Sequence, residues 1–253
     1  MRFNKLSQGL LALVFISVFS IITSCDNGGE EPVEPEVKDI PRDGLVAFYP
    51  FNGNANDESE IGVAANGVVG KSNGEDNAIL VEDRFGNPNS AYQMNGDGIG
   101  IYIDLPEKLV VQDDLTVSCW VKDCTIGEVY EGSQYTLRYE KNGPGFTPSI
   151  FTKDASPGFV YYYDEMVNSG WLMVTFTWDN TEQELKLYYN DNLVSTSSHD
   201  GIFENESTSS ALSIGDGGGN GTYYDGKVDD LIIYHKKLSE DEITAIYNQT
   251  ITK

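Results

Sequence analysis

Basic residues, histidine and cysteine are all scarce in this chain of 253 residues: sixteen lysines and arginines, two histidines and three cysteines stand against forty aspartates and glutamates. The formal charge of −24 makes nucleic acid and anionic lipid headgroups poor partners, because phosphate binding depends on clustered lysine and arginine. His199 and His235 have no cysteine or acidic neighbour at ligand spacing, so no zinc site is predicted. Cys119 and Cys124 lie five apart and point to opposite faces of a continuous strand, so free buried thiols are expected rather than a disulfide. The glycine-rich run Gly215 to Gly221 lacks the Lys-Ser/Thr ending of a phosphate loop. Gly70-Lys71-Ser72-Asn73-Gly74 fits G-x-S-x-G without the strand, helix and histidine that a nucleophile elbow requires. Long apolar runs are missing too: Leu10 to Ile22, thirteen residues without charge, is too short to span a bilayer.

That short run has the company of a processed leader. Arg2 and Lys5 precede it, and Ile22-Thr23-Ser24-Cys25 follows as a lipobox-like cleavage site. The segment resembles the signal of bacterial lipoproteins, which implies that residues 1–24 are removed and that Cys25 becomes the first residue and carries lipid. At about 0.8 kcal/mol per buried methylene, several acyl chains hold a protein on a membrane without a spanning helix. The expected location is the outer membrane or cell surface of a Gram-negative bacterium. Residues 25–42 continue as an acidic, proline-containing stretch with no aromatic residue, which cannot bury a core and reads as an extended tether.

From residue 43 to residue 253 one pattern persists, and it reads as a single all-β domain. Short apolar or alternating runs recur between Gly, Asn and Asp clusters: Leu45 to Tyr49, Ala78 to Val81, Ala91 to Met94, Ile99 to Ile103, Leu115 to Val121, Tyr135 to Tyr139, Phe159 to Tyr163, Trp171 to Trp178, Glu184 to Tyr189, Leu193 to Thr196, Ala211 to Ile214 and Val228 to Tyr234. Many short strands without intervening helices predict a two-sheet antiparallel sandwich. Turn residues at 179–184 and 190–192 make three of these strands consecutive and antiparallel. The last element is a helix, with Ser239 and Glu242 as a capping box and Ile243, Ile246 and Tyr247 as its apolar stripe.

Two segments then become specific: Gly44 to Ser59, reading GLVAFYPFNGNANDES, and Asp83-Arg84-Phe85-Gly86-Asn87 with Ala91-Tyr92-Gln93-Met94-Asn95-Gly96. Leu115 to Lys122, Trp171 to Asp179, Leu185 to Asn190, and Gly226 to Tyr234 with Leu238-Ser239 follow in order. Together they resemble a LamG-like jelly-roll domain of the concanavalin A-like lectin and glucanase superfamily. The resemblance implies a jelly roll that often binds calcium and more often binds a ligand than turns one over. Strand alternation places Asp229 on the core face with Leu231 and Ile233, and Asp230 on the opposite, solvated face. A buried carboxylate needs a cation or several donors, and the loops carrying Asp57 and Asp97 are rich in oxygen ligands. A structural calcium held by Asp57, Asp97 and Asp229 is therefore expected.

Carbohydrate sites stack aromatic rings on sugar faces and surround them with polar groups. Trp120, Trp171 and Trp178 match scaffold strands and are assigned to the core. Tyr161, Tyr163, Tyr189 and Tyr223 are the candidate ligand residues, with Tyr161 and Tyr163 exposed on one strand face if Tyr162 is buried. Glycosidases of the superfamily carry two glutamates flanking an aspartate on one strand face. The nearest run, Glu240-Asp241-Glu242, lies in a helix cap where carboxylates are favoured for other reasons. The reading is a lipid-anchored module that binds a glycan or glycoprotein without catalysis. A protein-binding adhesin or assembly module, and a glycan-cleaving enzyme, stand as alternatives.

Overall fold

The computed structural model describes residues 40–71, 79–104, 106–152, 155–164, 167, 169–203, 212–217 and 222–249. The chain divides into Met1–Glu36 and Val37–Lys253, and every described residue belongs to the second unit. Its elements in chain order begin with β1 (Leu45–Tyr49), β2 (Gly67–Lys71), β3 (Ile79–Val81), β4 (Ala91–Asn95), β5 (Ile99–Ile103), the single helical turn α1 (Pro106–Leu109) and β6 (Leu115–Glu131). There follow β7 (Tyr135–Glu140), β8 (Gly145–Ile150), β9 (Gly158–Phe159), β10 (Tyr162–Tyr163) and β11 (Leu172–Asp179). The chain closes with β12 (Glu184–Tyr189), β13 (Asn192–Ser198), β14 (Leu212–Ile214), β15 (Asp225–Tyr234) and α2 (Glu240–Tyr247). No described helix is long and apolar enough to cross a membrane.

The strands form two antiparallel sheets. One runs β13-β12-β11-β6-β15, with β1 and β4 pairing successive parts of the far side of β15 and β3 beyond β4. The other runs β2-β5-β14-β6-β7-β8, with β9 and β10 sharing the outer side of β8. The seventeen-residue β6 belongs to both, pairing β11 and β15 in its first part and β7 and β14 after Gly127. Gly127 has φ +107, and a Cβ there would overlap the main chain of Tyr223, so the crossing between sheets needs glycine.

Between the sheets lies the main core, in which Val117, Cys119 and Val121 meet Phe176, Trp178, Leu187, Leu231 and Ile233 from one sheet and Ile101, Tyr130, Leu137 and Phe146 from the other. A second cluster covers the outer face of the first sheet, where Trp120, Met173, Tyr188, Ile232 and Tyr234 pack under Ile243 and Ile246 of α2. Both faces of β11 are therefore buried, and its sequence reads as a continuous run rather than an alternation. The Ser239 and Glu242 capping box is present at the start of α2. Cys119 and Cys124 are both free and buried, and the predicted strand order of β11, β12 and β13 holds.

Several sequence expectations need correction. Phe159 to Tyr163 is not one uninterrupted strand: Val160 faces Pro148, which has no N–H to give it, and the segment divides there into β9 and β10. The strands β2 and β8 were not predicted, because glycines, and Pro148 in β8, read as breakers. Pro148 lies opposite Val160 in the register that β9 and β10 share on β8, so the outer pairing breaks where its N–H is missing. Ile40, assigned to the tether, is buried in the cluster beneath α2. Cys25 lies outside the described residues.

Candidate functional site

The three aspartates expected to share a calcium are held apart by their own partners. Asp57 is buried and accepts from the backbone N–H groups of Phe48, Ser59 and Ala65 at 3.0–3.2 Å. Lys108 of α1 makes an ion pair with the same carboxylate. Burial alone would raise this carboxyl group, but the Lys108 ammonium and the N–H donors outweigh it and keep it below the usual range. Asp97 is exposed in the turn between β4 and β5 and caps Ile99 N at 3.2 Å.

Asp229 departs from its expected face. Its pairing partner is Trp120, whereas Ile232 pairs Ser118, so one extra residue of β15 opposes β6 in between. Asp230, with φ +42, forms this bulge and reverses the alternation. Asp229 consequently shares the outer face with Trp120 and Ile232 instead of the core face with Leu231. Asp230 is 1% exposed rather than solvated. Arg84 Nη1 lies 3.1 Å from Asp229 Oδ2 and 2.5 Å from Asp230 Oδ2. Its guanidinium is also sandwiched between Phe85 and Trp120, 4.4 and 4.5 Å from the two ring centroids. Among the described residues no three Asp, Glu, His or Cys side chains come together as a group able to hold a metal ion. A calcium shared by Asp57, Asp97 and Asp229 therefore does not fit the geometry of these residues.

A better-formed recess lies where the edge of the second sheet meets the hairpin ends of the first. It encloses about 300 Å³ and is lined by Tyr162 and Asp164 from the end of β10, Ser169 to Leu172 at the start of β11, and Tyr189, Asn190, Asn192 and Val194 around the β12–β13 turn. The Tyr189 hydroxyl donates to Tyr162 O at 3.1 Å and accepts from Phe146 N at 2.9 Å, tying β12 to β8 and β10. Burial, with a smaller contribution from the Asp164 carboxylate, holds that phenol well above its ordinary pKa. The Tyr162 ring meets Tyr189 edge to face at 5.5 Å. Asn190, at φ +56, exchanges hydrogen bonds with the Met173 backbone through its own N–H and Oδ1. Aromatic faces, an amide pair, a serine and a carboxylate thus converge on one recess.

Of the candidate tyrosines, only Tyr189 lines this recess, and its hydroxyl is already committed. Tyr161 and Tyr163 are exposed, but Tyr162 is exposed with them and supplies the ring that those two do not. Tyr161 instead donates to Gly143 O, and Tyr163 pairs Gly145 on β8. Tyr223 lies against Gly98, far along the sequence from the recess strands. Trp178 is core as expected, but Trp171 is only half-buried and lines the recess. Trp171 also lines a second hollow of about 470 Å³ with Arg84, Phe85, Trp120, Tyr247, Asn248 and Gln249. Trp171 and Tyr162 were missed because alternation within one strand cannot show that β10 ends against the β11 hairpin.

A separate acidic group occupies the second sheet. Glu128 and Arg138 are paired across β6 and β7, with Oε1 3.7 Å from Arg138 Nε. Burial pushes the Glu128 carboxyl up to about 7 despite that cation, and Glu131 beside it is also raised. Tyr102 donates to Asp216 at 2.5 Å nearby in the same sheet.

Among solved structures, the binding domain of botulinum neurotoxin DC in complex with SialylT is similar at 14% identity with a TM-score of 0.60, covering 82% of this chain and 52% of that one. The same domain in complex with rat synaptotagmin II gives 13% identity and a TM-score of 0.60 over the same shares. A botulinum neurotoxin type C structure, whose cell entry depends on two ganglioside molecules, gives 14% and 0.60, over 82% of this chain and 51% of that one. The chain thus spans about half the length of these neighbours, and at such identity they share its fold alone. No curated protein sequence matches it. The Laminin_G_3 family model, of the concanavalin A-like lectin/glucanases superfamily, matches residues 97–244, more than half of the chain. With the two-sheet sandwich and its capped C-terminal helix, that match places the chain in the Laminin_G_3 family.

Proposed function

We propose that this protein is a lipid-anchored, extracytoplasmic carbohydrate-binding module, held at the outer membrane or cell surface through Cys25 and binding a glycan or glycoprotein without cleaving it. The observation that carries the reading is the recess in which Tyr162, Trp171 and Tyr189 converge with Asp164, Ser169, Asn190 and Asn192. Rings stack on the apolar face of a pyranose while amides and a carboxylate meet its hydroxyls. One similar fold is solved in complex with SialylT and another belongs to a neurotoxin whose cell entry depends on two ganglioside molecules, which supports a saccharide as the ligand class. The lipobox-like sequence at Cys25 supports the anchor, and mass spectrometry of the mature N-terminus checks it.

The test is binding of the purified chain to an immobilised panel of oligosaccharides. Trp171→Ala and Tyr162→Ala should each weaken binding by about tenfold or more while the melting temperature changes little, since both side chains are partly exposed. Stacking of one ring on a sugar is worth enough for that change. Release of reducing ends from any panel member would favour the glycan-cleaving alternative. Binding to no oligosaccharide would sink the reading. One similar fold is solved with synaptotagmin II, a protein, so capture of a defined protein receptor by the Trp171→Ala variant would favour the adhesin reading.

A further inference from the structure

We infer that the recess is one of two adjoining subsites, and that its ligand is an oligosaccharide chain that runs across Trp171 into the hollow beside α2 rather than a single sugar residue. The inference rests on the carbohydrate reading above and specifies its ligand class. Trp171 is a wall of both: it lines the recess with Tyr162, Asn190 and Asn192, and it lines the hollow of about 470 Å³ with Arg84, Phe85, Trp120 and Tyr247. Its place follows from β11. Met173 pairs Trp120 on β6, and positions two apart on a strand share a face, so Trp171 falls with Met173 on the outer face of the first sheet. There it packs, together with Tyr247, against the cluster under α2. Asn190, a recess residue, holds the Met173 backbone and so ties the recess wall to the same short stretch of chain.

The hollow has the composition of a sugar site in its own right. Phe85 is exposed, Trp171 and Tyr247 are half-buried, and the amides of Asn248 and Gln249 stand beside these rings. Rings with a few polar groups among them are what a pyranose needs. At about 300 and 470 Å³, the recess and the hollow both fall within the roughly 300–1,000 Å³ of small-ligand sites. Arg84 contributes a second, independent observation. Its Nη1 meets Asp229 and Asp230, whereas among the described residues Nη2 has no hydrogen-bond acceptor, although the side chain is only 7% exposed. A buried N–H group without an acceptor is costly, and a ligand oxygen would remove that cost. A chain with one residue in the recess and a further one in the hollow makes both sets of contacts with a single loss of translational freedom. A lone sugar residue fills one hollow only.

The full chain in detergent is titrated calorimetrically with size series of gluco-, manno-, galacto- and xylo-oligosaccharides, from monosaccharide to hexasaccharide. In a series that binds, affinity should rise by about tenfold or more from the monosaccharide to the longer members, since a further stacked residue and its hydroxyl contacts supply that much. Phe85→Ala should remove most of this gain and leave monosaccharide affinity within about twofold, whereas Tyr162→Ala should weaken every length. An affinity that does not change with length, or a gain that Phe85→Ala and an Asn248→Ala/Gln249→Ala double variant both leave intact, would overturn the inference and leave the carbohydrate reading in place. Failure of every series to bind would overturn the inference, and an oligosaccharide panel without any binding would overturn both. Should Phe85→Ala not fold, the double variant decides, because Asn248 is exposed and Gln249 only half-buried.

Discussion

At the scale of single residues, the least expected feature is the charge cluster of Arg84, Asp229 and Asp230. A single bulge residue at positive φ sends two successive aspartates to one arginine, so a position that reads as a core carboxylate becomes an ion pair under Trp120. Removing one partner of such a buried pair leaves uncompensated charge, at a cost of about 3–5 kcal/mol. Arg84→Ala should lower stability to urea by that amount, and Arg84→Lys should recover only part of it, because an ammonium loses the flat stack between Phe85 and Trp120. An Arg84→Ala loss below about 1 kcal/mol would show that the cluster is solvated. Glu128 offers a second test. Its carboxyl titrates near 7 in the folded protein against an ordinary 4.5, so the folded state holds the extra proton between these values. Its stabilising contribution is complete below the lower value and is lost as pH rises through the upper one. Relative to a Glu128→Gln variant, the melting temperature of the parent should therefore fall between about pH 5 and pH 8. The lowered carboxyls of Asp57, Asp179 and Glu242 act in the opposite sense and at more acidic pH, outside this window.

Among the elements, α2 and β6 set the geometry around the two hollows. The cap of α2 was legible because the pattern Ser-x-x-Glu satisfies orphan N–H groups locally, without help from the rest of the fold. What α2 covers was not legible: Ile243 and Ile246 close the outer face of the first sheet, and Tyr247 stacks on Trp120 at 5.8 Å. Ser239→Ala should cost about 1 kcal/mol in thermal unfolding and shift the tryptophan fluorescence through that stack. A variant that melts as the parent does and emits unchanged would mean that α2 is held by packing alone. The reach of β6 was underestimated for the opposite reason. Its apolar reading ends at Val121, yet the strand continues through Gly127 into the second sheet, because strand pairing with β7 and β14 compensates for polar residues along the way. The same dependence on a partner strand explains why β2 and β8, rich in Gly or containing Pro, read as loops.

For the molecule as a whole, the separate partners of Asp57 and Asp229 predict that chelation with EDTA leaves the melting temperature unchanged. A drop of several degrees that calcium reverses would show a bound ion elsewhere or a rearrangement of these aspartates. The all-β class, most strand positions, the hairpins of β11 to β13, the free thiols and the family were available from the sequence, because alternation, turn residues and capping are encoded within a few residues of where they act. The site was not. Of the four tyrosines singled out, Tyr189 alone reaches the recess, while Tyr162, Asp164, Asn190 and Trp171 come together only because the edge of one sheet lies against the hairpin ends of the other. The face of Asp229 likewise turned on one register slip between β15 and β6. Local pattern determines which segments become strands, since backbone pairing and burial periodicity are short-range properties. Which side chains share a recess, and which charges find a partner, was decided by register and by sheet-to-sheet contact between residues far apart in the chain, where a shift of one position exchanges the faces of a strand.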